Sequence, residues 1–350
     1  MASRIQIFDH FMKPLAEINA ATTPRSWVLN EIGRCEFSMS TSDPACTEKN
    51  LQYGNLILIT HVPTQDAAAN TNGRLPVWVG MILPPRTWDY GILHAVAYSA
   101  ESVFSFRAMP HLSLKGYPKE MFYEIIKHTT DYANNIIIHP GIVDDVPVTL
   151  GEELRLSAFD HIRSIAKNAG MDFDVTSQLD QYGNLELFAN LYQHKGQDTS
   201  LELSNLNSEL SSPLLTEQGV PANHVIGYAQ ASTKASRFQG VGRNQEAIND
   251  YGSLQANIVF MGQKDSGGVT VAAQTLAATR GRPVKMMKRI ALDREDTFSF
   301  LDTGNIVKIK EADAGFSPSG GFGFDARVRI LSMEYNDLSN KTSLNVELVL

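Results

Sequence analysis

The chain has little of what most often announces a function. Cys35 and Cys46 are its only cysteines, too few for a disulfide framework, and they form no CxxC pair and have no clustered histidines beside them. Two free thiols in a β-rich region, one of them packed, are the expectation. No window approaches the ~18 uninterrupted apolar residues that a membrane-spanning helix requires. The start, MASRIQIFDHFMKP, lacks the cationic block followed by an apolar one that marks a secretory signal. Synthesis and folding in a cytoplasm, without stable membrane insertion, are therefore expected. Positive charge is also scarce: 30 Lys and Arg against 38 Asp and Glu leave a formal net charge of -8, the opposite of what neutralising nucleic-acid phosphates demands.

Motifs with a chemical mechanism are missing too. There is no phosphate-binding P-loop, HExxH, calcium-hand loop or GxSxG elbow. Gly240-Val241-Gly242 opens like a dinucleotide fingerprint, but the third glycine is absent and no βαβ unit follows. Ser164 and Lys167 make an SxxK on an amphipathic helix without the partner motifs of penicillin-binding enzymes, so a helix face is the better reading. The acidic pairs Asp144-Asp145 and Glu152-Glu153 could serve as glycosidase carboxylates, and Glu152, Glu153 and Asp160 are the best candidates for a cell-wall-degrading activity; adjacent carboxylates more often mark solvated turns and helix starts. The nine histidines show no HxH or HxxxH spacing for a metal. Trp78, Trp88 and Tyr90 lie close enough in sequence to form a sugar-stacking platform, although strand aromatics more often fill a core or a subunit seam. No catalytic, cofactor-binding or metal-ligating residue is assigned.

What is present is strand. Ile5–Phe8, Ser26–Ile32, Cys35–Met39, Leu56–Val62, Val77–Leu83 and Leu93–Tyr98 are short apolar or alternating runs separated by turn formers, with a polar stretch at 64–76 that has the composition of a long hairpin loop. The period then changes. Pro118 opens a helical pattern through Tyr132, and a second helix spans about Ala158 to Asn168, stopped by Gly170. Strands follow at Met171–Thr176 and Leu185–Leu191. The stretch Leu201–Pro221 has the composition of a crossing between domains. Strands near His224–Ala231, Arg237–Val241 and Leu254–Phe260, an Ala-rich helix at Val269–Thr279, an extended segment Lys285–Leu292, and strands at Asn305–Lys310, Ala326–Asn336 and Thr342–Leu350 complete the chain. A flexible loop is expected at 315–325. With 350 residues, two or three domains are the prior.

The order of the N-terminal strands carries a resemblance. SWVLNEIGRCEFSMSTSDP, KNLQYGNLILITHV, LPVWVGMILPPRTW and ILHAVAYSAESVFSFR run as "G-x-C-x-F-x-M", then "Y-G-N-x-I", then "W-x-G-x-I". This resembles the first domain of bacteriophage baseplate hub and tail-tip proteins. Gly33 and Gly54 look like turn glycines of that domain, and Trp78 with Gly80 like its "W-x-G" pair. At the other end Gly304–Ile309, Arg327–Asn336 and SLNVELVL resemble the family's closing domain.

The resemblance implies an α+β, predominantly β fold: two tail-tube-like β-barrel domains at 1–108 and 221–350, the second with a helical insertion, and an inserted mixed α/β domain at 109–220. It implies a homotrimer whose six barrels match a sixfold tail tube to a threefold spike or fibre, a structural virion protein at the tail tip that lines the DNA exit channel and is assembled in the host cytoplasm. The implied partners are the tail tube or distal tail protein, a separate spike or fibre protein and the tape-measure protein. DNA passes without specific binding, which the acidic balance would favour. Ending on a strand at Leu350, with no fibre or hydrolase appended, the chain is expected to be a connector. Carbohydrate binding at Trp78, Trp88 and Tyr90, and cell-wall degradation, are the alternatives.

Overall fold

A computed structural model of the chain describes residues 3–22, 24–61, 77–109, 114–131, 136–153, 155, 157–204, 210–211, 214–218, 222–229, 239–260, 265–281, 284–292, 301–316, 322–336, 339 and 341–349. The stretch 64–76 lies outside them. The chain divides into two units, Met1–Pro213 with Arg289–Val349, and Leu214–Lys288.

The first unit begins with β1 (Ser3–Phe8), β2 (Pro14–Ile18), β3 (Ala21–Thr22), β4 (Arg25–Val28), β5 (Arg34–Ser40), β6 (Leu56–His61), β7 (Val77–Asp89) and β8 (Ile92–Ser99). Seven of these form one sheet in the order β2-β1-β6-β7-β8-β5-β3. The run Leu56-Ile57-Leu58-Ile59 does not alternate with polar residues because this sheet is buried on both faces. Ile57 and Ile59 pack with Ile5, Ile7, Phe37 and Trp78 on one side. Leu56 and Leu58 pack with Phe8, Val79 and Met81 on the other, in a core shared with the next segment. A side chain buried on each face in turn contributes roughly 1.5–3 kcal/mol, so this strand is held from both directions.

That next segment is mixed α/β. It contains a short α1 (Ser102–Ser105), β9 (Leu114–Gly116), α2 (Pro118–Asp131), β10 (Ile138–Val143), β11 (Leu150–Glu153), α3 (Ala158–Ala169), β12 (Asp172–Leu179) and β13 (Leu185–Tyr192). β10, β13 and β12 form a three-stranded sheet in that order. Phe122 and Ile125 of α2 and Phe159, Ile162 and Ile165 of α3 pack onto Phe173, Leu187 and Leu191 in the core that also holds Leu56 and Leu58. Both helices fall where the sequence places them, and α3 is bounded as expected: Ser157 Oγ accepts from the Asp160 amide at 3.1 Å and Gly170 closes it at φ 66°, the N-cap and left-handed C-terminal stop of an amphipathic helix.

The remaining strands of this unit, β14 (Asp198–Ser204), β15 (Leu210–Ser211) and, after the second unit, the end of β20 (Val284–Leu292), β21 (Ile306–Phe316), β22 (Phe322–Asn336) and β23 (Lys341–Leu348), make a second large sheet in the order β14-β21-β22-β23-β20-β15. The expected crossing at Leu201–Pro221 therefore begins with a strand, because the alternating Leu201, Leu203 pattern is satisfied by parallel pairing of Glu202–Ser204 with Lys308–Lys310. The loop expected at 315–325 is shortened from both sides, since β21 runs to Phe316 and β22 starts at Phe322. β4 leaves its neighbours in sequence and pairs with β22, Trp27 opposite Met333 and Arg25 opposite Tyr335. The two ends of the chain thus share a sheet. Neither large sheet closes into a barrel by strand pairing among the described residues.

The second unit contains β16 (Leu214–Gln218), which pairs with Val284–Lys288, then β17 (His224–Ala229), β18 (Gln239–Arg243), α4 (Gln245–Tyr251), β19 (Gln255–Phe260) and α5 (Ser266–Arg280). β18, β17 and β19 form a sheet in that order, and α5 lies across it. Gly240 and Gly242 are the contact points: a Cβ on Gly240 would meet Thr270 N at 2.4 Å, and one on Gly242 the Ala273 carbonyl carbon and oxygen at 2.1 Å. The Gly-Val-Gly motif is a seat for a helix. The helix α4 was not foreseen from the sequence; its buried anchor is Ala247 alone, and Asn244 caps it through the Ala247 amide at 3.1 Å.

The close approach sets a test. Gly242→Ala forces β18 and α5 apart and should destabilise this unit by about 1–3 kcal/mol, whereas Gly267→Ala, which meets only the Asp265 carboxylate at 3.3 Å, should change little. Hydrogen exchange of the β17 and β18 amides reads the difference; equal protection in the two variants would contradict the packing.

Candidate functional site

The sequence candidates separate in space. Trp78 is 1% exposed and belongs to the core, where its Nε1 donates to the Ser26 carbonyl at 3.0 Å and its ring lies over Gly80, whose Cβ would sit 2.4 Å from it. The "W-x-G" pair is therefore a packing device. Trp88 and Tyr90 are 64% and 99% exposed, at the far end of the β7–β8 hairpin. Arg86 is stacked 4.2 Å from the Tyr53 ring and 5.9 Å from Trp88, so the aromatic beside Trp88 across this arginine is Tyr53 and not the buried Trp78. Of the two glycines assigned to turns, Gly54 has φ 91°; Gly33 instead permits close approach, a Cβ there falling 2.0 Å from the Ser26 carbonyl.

The acidic candidates do not converge. Asp160 accepts from Ser157 Oγ at 2.6 Å as part of the helix cap, and Glu152 and Glu153 end β11. Asp144 receives the Gln193 amide at 2.8 Å. Ser164 Oγ accepts from Asn168 Nδ2 at 3.2 Å along α3, with no lysine in the contact. Both cysteines are free thiols, Cys35 buried and Cys46 partly exposed. Among the described residues no group of three His, Cys, Asp or Glu side chains could hold a metal ion, and no helix is long and apolar enough to cross a membrane.

The most concentrated chemistry lies where the two large sheets and the α/β segment of the first unit meet, and sequence reasoning missed it. Asp172, 3% exposed, starts β12. One of its oxygens forms an ion pair with Arg329 of β22 and accepts from the Lys195 amide at 2.8 Å; the other accepts from Asn30 Nδ2 at 3.1 Å. Lys195 Nζ reaches Asp174 at 2.8 Å, Thr303 Oγ1 at 2.9 Å and Asp302 at 3.1 Å. Beside them Gly196 and Gly304, at φ 89° and 91°, bring the chains so close that a Cβ on either would fall within 2.3 Å of the other segment's backbone. Asn305 Oδ1 then accepts from the Gln197 amide at 2.9 Å. The Gly304-Asn305 that opens the C-terminal sequence pattern is thus a latch.

Electrostatics follow from burial. Desolvation alone would lower the Lys195 ammonium, but Asp302 and Asp174 outweigh it and raise its pKa. Burial, and then Asp174, push the Tyr192 hydroxyl up. The Glu101 carboxyl is pushed up by burial although it accepts from the Val175 amide at 3.0 Å. Glu101, Asp174, Lys195, Asp302 and Thr303 line a cleft of about 580 Å³ whose other walls include Trp27, Val77, Phe173 and Ser177. Ser99, which also lines the cleft, hydrogen-bonds the Glu101 carboxyl, and the arrangement can hold segments together or receive one.

A mostly β architecture, 52% strand and 20% helix, with two large sheets around an α/β segment and a polar latch between them, defines a structural class before any name does. No family model and no curated protein sequence matches the chain. Solved structures do match. The 43 kDa tail protein of prophage MuSo2 from Shewanella oneidensis aligns over 98% of this chain and 98% of its own at a TM-score of 0.61 and 11% identity. A tail protein from Neisseria meningitidis aligns over 99% and 97% at 0.59 and 12%. A component of the Escherichia coli type VI secretion system, described as structurally similar to the T4 bacteriophage tail proteins gp27 and gp5, aligns over 95% and 74% at 0.54 and 11%. The chain has the fold of phage tail proteins over almost its entire length.

Breaking the latch has a defined cost. Asp172→Asn removes the ion-pair partner of Arg329, which keeps only Glu347 across the strand pair, and removing one member of a buried pair costs up to about 3–5 kcal/mol. Asp172→Asn with Arg329→Met should recover part of that loss. Urea denaturation checks both, and an additive double variant would contradict the coupling. Stability should also fall as pH rises from the usual glutamate range through the raised pKa of Glu101, because the native state binds the proton more tightly than the unfolded chain there; Glu101→Gln should flatten that slope.

Proposed function

We propose that the protein is a non-enzymatic building block of a phage tail tip: the homotrimeric central hub that adapts the sixfold tail tube to a threefold spike or fibre. The observation that carries this reading is the agreement of nearly the whole chain, rather than one module of it, with the fold of tail proteins. In this reading the seven-stranded sheet and the C-terminal sheet form the cores of two tail-tube-like modules expected at 1–108 and 221–350, with β14, β15 and β4 joining the second from outside that range. Three chains place six such modules around an axis, which accounts for why one polypeptide would carry two. The tail tube or distal tail protein would seat above, a separate spike or fibre protein below, and the tape-measure protein and DNA would pass through the centre within the virion. A net charge of -8 on each copy disfavours phosphate binding along such a channel.

A second reading has one observation in its favour. Tyr53 and Trp88 are exposed beside Arg86, with Tyr90 exposed at the turn that follows Trp88, a surface able to stack on a sugar. Glycan-array binding that disappears in Trp88→Ala would support a carbohydrate-binding tip module.

The hub reading is tested by cryo-electron microscopy of tail tips from cells producing the cognate particle, with multi-angle light scattering of the isolated chain. Three copies at the distal end of the tube are expected. A different copy number in the particle contradicts the hub.

A further inference from the structure

We propose that the cleft beside β12 is an acceptor site for an extended segment of a partner polypeptide that carries a basic side chain. The inference stands on the geometry of the cleft and is independent of the tail assembly.

Among the described residues β12 is the last strand of its sheet, hydrogen-bonded to β13 on one edge only. Its other edge faces the cleft, where residues 173–178 form one wall. Along that edge the outward amides recur every second residue. The Phe173 amide is taken by Asn30 Oδ1 at 2.6 Å and the Val175 amide by Glu101 at 3.0 Å. Two side chains thus stand where the backbone of a neighbouring strand would, and Ser177 is the next rung. A strand that lay along Ser177 to Leu179 would continue the ladder those side chains begin, the main-chain pairing that defines strand addition. The cleft volume, about 580 Å³, lies in the range of roughly 300–1,000 Å³ typical of ligand pockets.

Charge selects the occupant. Glu101, Asp174 and Asp302 line the cleft against the single ammonium of Lys195, which is shared between Asp174 and Asp302. A lysine or arginine entering with its backbone on the β12 edge would compensate the excess carboxylate, while an acidic side chain or a phosphate would add to it. The apolar side of the same segment would meet Trp27, Val77 and Phe173.

The test uses the full chain and acetylated, amidated pentapeptides observed by isothermal titration and amide chemical shifts. Val-Lys-Val-Lys-Val should bind saturably and shift the Ser177 and Leu179 amides; Val-Glu-Val-Glu-Val should bind at least tenfold more weakly. The lysine peptide methylated on alternate backbone nitrogens should lose affinity at least tenfold in one of its two registers, a readout that leaves the protein unaltered. Glu101→Gln, confirmed as folded by its circular dichroism melt, should weaken the lysine peptide severalfold. Equal binding of the lysine and glutamate peptides, undiminished binding of both methylated forms, binding of acetyl-lysine-amide alone with the same affinity, or no saturable binding would each overturn the proposal. A fall in light-scattering mass on peptide addition would mean that a second copy of the chain holds the cleft, and would overturn the assignment to a different partner.

Discussion

The first unit depends on a buried carboxylate. Asp172 sits at the start of β12 and is held at once by Arg329 from the C-terminal sheet, Asn30 from the N-terminal region and the Lys195 amide. Taking a carboxylate out of water costs several kcal/mol even after relaxation, and that cost is offset only when every lone pair has a donor. Three parts of the sequence, separated by more than a hundred residues, must therefore arrive together. A hydrophobic contact would tolerate slippage between the sheets by a fraction of a side chain; this cluster specifies one register.

The glycines make that register possible. Gly196 and Gly304 allow backbone contact at a point where any Cβ would collide, and there the Gln197 amide donates to Asn305 Oδ1 while the Gln197 carbonyl accepts from the Ile306 amide. The exchange of β4 into the C-terminal sheet has the same effect by another route. Arg25, 1% exposed, is stacked 5.0 Å from Tyr335 and shares the strand pair with it. A cation over a desolvated ring contributes on the order of 2 kcal/mol, and here it joins the first thirty residues to the last twenty.

How much of this was legible in the sequence depended on range. The helices α2, α3 and α5 were, because Pro118, Gly170 and the 3.6-residue apolar spacing are local signals. Most strands of the N-terminal sheet were, although β7 extends to Asp89 and the strand read at Ser26–Ile32 ends at Val28. The partner of β4 could not be read, since nothing in Arg25–Val28 distinguishes pairing with β5 from pairing with β22. Trp78 fills a core, as strand aromatics more often do, while Trp88, beyond a register shift between Leu83 and Arg86, is exposed. The latch gave only a trace. Gly304-Asn305 stood in the sequence as a pattern without a reason, and nothing local marks Asp172, Lys195 and Arg329, which the fold brings together from distant parts of the chain.

The outward face of the C-terminal sheet shows why net charge alone is a poor guide to what a surface binds. Lys308 lies 3.2 Å from Asp325 and 3.6 Å from Glu202, Lys310 lies 2.8 Å from Glu202, and Arg327 pairs with Asp198. These pairs are exposed and add little stability, each about 0–1 kcal/mol and less at high salt. Their effect is on recognition. Cations paired with neighbouring carboxylates are less available to neutralise phosphate. The excess of eight negative charges must then reside elsewhere on the chain. The cleft beside β12, with three carboxylates around one lysine, is one place where that excess is gathered and can discriminate between partners.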